Sequence, residues 1–264
     1  MRATLLVPTL NEAESIGHVL RSFRDAAAAA NRELFRSDPL DWELLVVDGA
    51  STDGTAEIAR AEGARVLVEP RKGYGRAYRT GFDAAKGEVL ATMDGDATYP
   101  VATVPLLVQK LLTEQLDFVS GDRLSELDPK AMTTEHRLGN WVLNTFLRIA
   151  YAHYLVAVAG RTVRDSQSGM WVLRRSILPS LALTQDGMPL SEEIKLEVIL
   201  RGYRFAEVPI HYAERWGAPK LSSWRDGRHN LLFLFRKRLE VARLKARGQL
   251  SHPAAAHAGE RLPR

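Results

Sequence analysis

Short apolar runs alternate with stretches of helical periodicity through the first half of the chain. Residues 3–8, 42–48, 65–69, 88–94 and 117–121 are apolar runs ending at polar or turn residues. That is the pattern of strands buried on both faces. Between them, residues 12–29, 54–62, 75–85 and 101–112 carry apolar side chains at helical spacing. Asp53 is placed to cap the second of these helices. Strand–helix alternation predicts an α/β fold, a single Rossmann-like, mostly parallel sheet flanked by helices.

The second half is less regular. Residues 127–137 are polar and predict a mobile loop, and residues 164–174 a turn at Ser168-Gly169 followed by a strand. Residues 191–201 predict a helix opened by a serine cap, with Glu192 and Glu193 in its first turn. Residues 204–212 predict a further strand. The expected division is a domain over 1–223, a C-terminal amphipathic basic helix over 224–247, and a disordered tail over 248–264, rich in Ala, His, Pro and Gly.

Composition narrows the function. With 264 residues, 45% hydrophobic and 26% charged, the chain suits one large globular domain. It has no cysteine, which excludes disulfides, thiolate zinc sites and a cysteine nucleophile. The formal charge of +4 is too small to favour a nucleic-acid partner but suits phosphorylated ligands or an anionic membrane. The opening apolar run stops at Pro8, too short for a signal core. Residues 138–160 are interrupted by Asn140, Asn144, Arg148 and His153, so they read as amphipathic rather than spanning. A cytoplasmic protein is expected, with peripheral contact to the inner face of the membrane.

Ligands of open parallel sheets sit beyond the carboxyl ends of the strands. Here those ends carry Pro8 with Asn11 and Glu12, then Asp48, then Asp94-Gly95-Asp96, then Arg123. No Gly-rich turn follows the first strand, and Gly73-Tyr74-Gly75 only half-matches a dinucleotide fingerprint. A nucleotide would therefore be held by side chains and an ion. Asp94 and Asp96 are hard oxygen donors of the kind that share Mg2+ or Mn2+ with substrate phosphates. Asp48 is read as a ligand contact and Asp53 as a cap. Arg71, Lys72, Arg123 and Arg137 are candidate phosphate contacts. The 165–170 turn has a bland reading, with Asp165 bonding its own backbone. Glu192 and Glu193 suit a helix dipole and also a general base. Residues 212–227 interleave Arg215, Lys220 and Arg225 with Trp216 and Trp224, which suits an anionic amphiphile at a membrane.

Taken in order, residues 8–12, 46–55, Lys72-Gly73-Tyr74-Gly75, Asp94-Gly95-Asp96 and Ser120-Gly121-Asp122-Arg123 resemble glycosyltransferase family 2. Residues 165–170, Glu207-Val208-Pro209-Ile210 and the stretch 220–227 are similar to its polyprenyl-phosphate branch. The resemblance implies a GT-A fold, a Mg2+ or Mn2+ ion, and inverting transfer of a hexose from a UDP- or GDP-linked sugar to a polyprenyl or dolichyl phosphate. Carried over by position, Pro8, Asn11, Glu12, Asp48, Lys72, Gly73 and Asp94 would hold the donor, and Asp94 and Asp96 the metal. Asp165, Glu193 and Arg123 would serve catalysis. Arg137, Gln167, Arg215, Lys220 and Arg225 would meet the acceptor. Thr98 stands where mannosyl enzymes often have Gln, leaving the sugar open. A soluble hydroxyl acceptor such as a phosphoglycerate or glycan, a non-catalytic nucleotide-sugar binder, and a homodimer all stay open at this point.

Overall fold

The computed structural model describes residues 1–128, 130–159, 163–217 and 223–247. The expected tail lies outside them. Among the described residues, seven strands form one sheet in the order β3-β2-β1-β4-β6-β5-β7. The strands are β1 (Arg2–Thr9), β2 (Asp41–Asp48), β3 (Arg65–Val68), β4 (Val89–Thr92), β5 (Phe118–Leu127), β6 (Trp171–Arg174) and β7 (Phe205–Tyr212). The helices are α1 (Ile16–Glu33), α2 (Thr55–Ala61), α3 (Tyr74–Ala84), α4 (Thr103–Thr113), α5 (Thr134–Ala150), α6 (Ala152–Ala159), α7 (Leu190–Leu200) and α8 (Ser223–Ala246). All strand pairs are parallel except those of β6, which runs antiparallel to both β4 and β5.

Successive strand residues face opposite sides of a sheet, and the two cores follow that rule. Ala3, Leu5 and Val7 of β1 join Val46, Ala91 and Val172 on the side of α1 and α4. Leu6 joins Leu45, Val47, Leu90 and Trp171 on the side of α3 and α7. The continuous apolar runs of the sequence are therefore two interleaved half-patterns. β3 departs from the expectation of full burial: it is an edge strand and stays half-exposed.

The second half differs more. β5 runs on to Leu127, and α5 starts at Thr134 behind a Thr133 cap whose side chain accepts from His136 N, so the expected long loop is short. The 138–160 segment is divided between α5 and α6 around Tyr151. α7 opens at Leu190 with Pro189, not a serine, in the cap position, and Ser191 is buried within it. At α2 the cap position is Gly54, while Asp53 Oδ1 accepts from Thr55 N at 3.0 Å from one residue earlier.

α8 packs on the domain. Phe233, Leu234 and Val241 share a third core with Leu147 of α5, Leu155 of α6 and Leu196 of α7. Burying such side chains is worth about 1.5–3 kcal/mol each. Lys237 of α8 is buried and pairs with Glu197 of α7 at 2.7 Å. No helix among the described residues is long and apolar enough to cross a membrane.

Candidate functional site

The loops that leave β1 and β2 are stitched together by side-chain-to-backbone bonds. Asn11 N donates to Ser51 Oγ at 2.8 Å, and Thr52 N donates to Asn11 Oδ1 at 2.9 Å. Glu12 N donates to Thr55 Oγ1 at 2.8 Å, and Ala13 N to Asp53 Oδ2 at 3.0 Å. Asp48, buried at the end of β2, accepts from Thr9 Oγ1 at 3.1 Å, Ser51 N at 2.8 Å and Ser51 Oγ at 2.6 Å. An ionised carboxylate has about four acceptor sites, so most of Asp48 is spent on shaping its own turn. Pro8, Asn11, Glu12 and Asp48 are thus brought together at one edge of the strand ends. Lys72 is exposed beyond β3. Gly73 and Gly75 have a packing role: a Cβ on either would overlap backbone oxygens of Asp186 or of Gln185 and Gly187. The half-match to a dinucleotide fingerprint is explained by that close approach.

β4 delivers Asp94 and Asp96. Asp94 Oδ1 accepts from Tyr74 OH at 3.3 Å and Tyr78 OH at 3.4 Å. Burial, and then the negative charge of Asp96, push its carboxyl up to about 7. Asp96 Oδ1 accepts from Thr98 Oγ1 at 2.7 Å, and Asp96 Oδ2 lies 3.2 Å from Arg215 Nη1. Arg215 also donates to Glu12 Oε1, bridging two candidate donor-site carboxylates. The segment after β7 that carries it is clamped to the β4 turn, with Ala213 N on Thr98 O at 2.9 Å and Trp216 N on Asp96 O at 3.1 Å. Trp216 stacks on His18 at 4.9 Å. No third Asp, Glu or His joins Asp94 and Asp96 in a metal-holding group among the described residues. Two crowded carboxylates, one with its proton affinity raised, fit a divalent cation whose remaining ligands are phosphate oxygens and water.

On the far side of the cleft, β5 slips register against β7 between Asp122 and Glu126. That break turns Arg123 inward. Arg123 grips Asp165 with two parallel bonds, Nε to Oδ2 at 2.7 Å and Nη2 to Oδ1 at 2.9 Å, and lies 5.3 Å from the centre of the Tyr212 ring. Burial raises the Asp165 carboxyl, but the Arg123 guanidinium outweighs it and holds Asp165 at about 2. Glu207 of β7 accepts from Arg164 N at 2.7 Å and Asp165 N at 3.1 Å. Lys195 of α7, fully buried, donates to Asp165 O. Gln167 follows, donating from Nε2 to Glu192 Oε1 and accepting at Oε1 from Asn230 Nδ2 at 2.8 Å.

Glu193 is not brought to this cluster. Its carboxylate accepts from Thr184 N at 2.8 Å, Thr184 Oγ1 at 2.7 Å and Gln185 N at 2.9 Å, which ties down the loop before α7. Adjacent helical residues point about 100° apart, so Glu192 faces Gln167 and Glu193 does not. Arg137 stands exposed on α5, while its neighbours His136 and Asn140 line the cleft. Lys220 lies outside the described residues, and Arg225 falls in the first turn of α8. The cleft holds about 390 Å³ and runs from Asp96, Arg123 and Arg215 past Gln167 to the starts of α5 and α8. Sequence reasoning missed Tyr74, Tyr78, Lys195, Glu207 and Asn230 as site-shaping residues. Lys195 had a signal, a lone lysine in a helix buried along its whole length.

Residues 4–181 match the family model described as Glycosyl transferase family 2. Over 236 residues the chain is 34% identical to Glycosyltransferase AglJ of Haloferax volcanii, covering 88% of this chain and 71% of that protein. Over 223 residues it is 35% identical to the Dolichyl-phosphate hexose transferase of the same organism, covering 84% and 88%. Among solved structures, glucosyl-3-phosphoglycerate synthase from Mycobacterium tuberculosis in complex with Mn2+, UDP-glucose and phosphoglyceric acid superposes with a TM-score of 0.70 at 22% identity. That superposition covers 89% of this chain and 79% of the other, and it shows the GT-A fold.

Proposed function

The chain belongs to glycosyltransferase family 2, and from that membership we propose that it moves a hexose, with inversion, from a UDP- or GDP-linked sugar to a polyprenyl phosphate. The observation that carries the acceptor class is that the carboxylates of the 165 turn and the start of α7 are already engaged. A hydroxyl acceptor needs a base within hydrogen-bond reach. Asp165 is held ionised and doubly bonded by Arg123, Glu193 is spent on the 184–185 loop, and Glu192, its carboxyl pushed up by burial, is bonded by Gln167 Nε2. The cleft does hold cations, Arg123, Arg215 and Lys130, among the carboxylates Asp96, Glu135, Glu214 and Asp226. A phosphate monoester is already anionic, its second pKa being about 6, and needs neutralisation and alignment rather than deprotonation.

In this reading Pro8, Asn11, Glu12 and Asp48 seat the nucleoside, and Lys72 meets donor phosphate. Asp94 and Asp96 hold Mg2+ or Mn2+, which when bound offsets charge on the departing diphosphate. Arg215, already across Glu12 and Asp96, supplies positive charge on the donor side, and Arg123 supplies it on the acceptor side. Gln167 faces the acceptor. The cleft opens between α5 and α8, whose outer faces expose Leu138, Trp141, Val142 and Ile149, and Leu231, Leu232, Phe235 and Leu239. Those faces suit a lipid acceptor drawn from a bilayer surface. The name of one relative, a dolichyl-phosphate hexose transferase, agrees with this acceptor.

The test is partition of label. The protein is incubated with Mn2+, labelled UDP-glucose or GDP-mannose, and a short polyprenyl phosphate, with phosphoglycerate as a parallel acceptor. Chelator-sensitive label in the organic phase is expected. Label only in the phosphoglycerate product would move the acceptor to a soluble molecule and overturn the lipid reading.

A further inference from the structure

The helix that the sequence marks as an appendage reaches the active site. Asn230 of α8 is only 4% exposed. Its Nδ2 donates to Gln167 Oε1 at 2.8 Å, whereas Gln167 Nε2 is taken by Glu192 Oε1 and, at 3.3 Å, by Ser166 Oγ. Each end of the Gln167 amide is therefore set by a different element. Oε1 has its bond from α8; Nε2 has its bonds from α7 and from the turn itself. Two oxygens of the group, Glu192 Oε2 and Asn230 Oδ1, are buried with no hydrogen-bond partner among the described residues. Buried polar atoms are nearly always paired. A cluster built only to hold α8 in place would pair them; this one leaves unpaired oxygens beside a cleft that both Gln167 and Asn230 line.

We propose that Asn230 is a positioning residue of glycosyl transfer: from α8 it orients the amide of Gln167, which makes α8 part of the active site as well as of the lipid-facing surface. The proposal rests on the site and the family's transfer activity, not on the lipid acceptor. α8 has other anchors, which separates positioning from docking. Tyr151 OH donates to Leu234 O at 3.0 Å, and Lys237 Nζ lies 2.7 Å from Glu197 Oε1. Removing the Asn230 amide takes away the bond to Gln167 and leaves these in place.

Three variants divide the outcomes. Asn230→Ala deletes the donor. Asn230→Leu keeps the bulk and deletes both polar atoms. Tyr151→Phe loosens α8 without touching Gln167. In transfer from UDP-glucose or GDP-mannose to whichever acceptor the wild type uses, both Asn230 variants are expected to lose about tenfold or more in kcat, as misoriented active-site groups do. Donor KM should stay near wild type, and the thermal midpoint should fall no further than in Tyr151→Phe. Tyr151→Phe should lower the midpoint and spare kcat. Equal losses of kcat in Tyr151→Phe and Asn230→Ala, or full activity in Asn230→Ala, would overturn the proposal. A second reading needs no substrate. The Gln167 side-chain amide signal in 15N-labelled protein should move towards that of a free amide in both Asn230 variants and stay put in Tyr151→Phe. An unmoved signal in Asn230→Ala would show that Glu192 and Ser166 orient Gln167 alone. Loss of the lipid product in the wild type would sink the acceptor reading and leave this amide comparison intact.

Discussion

Asp165 and Lys195 meet at one backbone carbonyl, and burial acts on them in opposite ways. Asp165 has a guanidinium fork to hold its charge, so it stays ionised down to about 2. Lys195 has one carbonyl bond and no carboxylate within ion-pair distance among the described residues, and burial pulls its ammonium down to about 8. The groups facing it are Asp165, Glu207, Arg123 and Asp122. For Lys195 the folded pKa lies below the unfolded value of about 10.4. The fold therefore favours the neutral amine. The penalty is fully present below pH 8 and is relieved as pH rises from about 8 to 10.4, by an amount on the order of 3 kcal/mol. The buried tyrosines Tyr74, Tyr78 and Tyr99 have raised pKa values and act with the opposite sign, but only from about pH 10 upward. Between about pH 8 and 9.5 Lys195 contributes a rise in stability, while Glu192, raised by burial, acts with the opposite sign. The Lys195 share is read as a difference: the urea midpoint should climb less, or fall more, across this window in Lys195→Met than in the wild type. Identical slopes in the two proteins would refute the assignment.

Glycines mark where elements come too close for a side chain, and two of them separate packing from backbone conformation. Gly75, in the first turn of α3, has backbone φ in the ordinary range, but a Cβ there would overlap oxygens of Gln185 and Gly187 and the Leu190 side chain. Gly54 has φ 89° with nothing within 4 Å of an added Cβ. Gly54→Ala is expected to cost about 1–2 kcal/mol, the left-handed penalty alone. Gly75→Ala should cost about 3 kcal/mol, the upper range of overpacking, because the 185–187 backbone must move. Urea titration of both variants checks the order, and a Gly54→Ala loss equal to or larger than that of Gly75→Ala would contradict it. The same contrast explains what could be read from the sequence. The strands of the first half were legible because each alternates between two cores, giving apolar runs that end abruptly at Asp48 or Asp94. Asp53 was legible as a turn residue of the α2 start but not in its position: the cap falls on Gly54, and Asp53 accepts from Thr55 N and Ala13 N instead. α7 was legible as a helix but not in phase: every residue from Leu190 to Leu200 is buried, so no polar face shows that Glu192 and not Glu193 turns inward. Asn230 gave no signal, since a polar residue beside Arg228 and His229 on a basic helix reads as solvent-facing. Arg123 stood out at a strand end and the structure places it in the cleft, but its pairing with Asp165, 42 residues away, is set by tertiary packing alone.

Among the described residues, most of the exposed large apolar side chains lie on α5 and α8. On α8, Asn230, Leu234, Lys237 and Val241 recur at helical spacing and are buried, while Leu231, Phe235 and Leu239 recur on the outer side and are exposed. Arg228, Arg236, Arg243 and Lys245 are exposed on the same helix. α5 packs beside it and exposes Trp141 at 63% and Ile149 at 75%. Two neighbouring helices with outward apolar residues and exposed cations form the surface expected of a protein that lies on anionic lipid. Each large side chain transferred from water to the acyl boundary contributes up to about 2–3 kcal/mol, and each 1.4 kcal/mol is about tenfold in affinity. Sedimentation with vesicles containing anionic lipid should therefore fall by at least about tenfold in the double variant Trp141→Ser, Phe235→Ser. Raising salt should weaken wild-type binding, because the cationic share is screened within about 10 Å at 0.1 M. Both residues are exposed, so the thermal midpoint should be unchanged. Transfer to a short acceptor in detergent should also be unchanged, because neither side chain lines the cleft. Wild-type sedimentation by the double variant would remove the membrane face from the account while leaving the chemistry of Arg123, Asp165 and Gln167 where it stands.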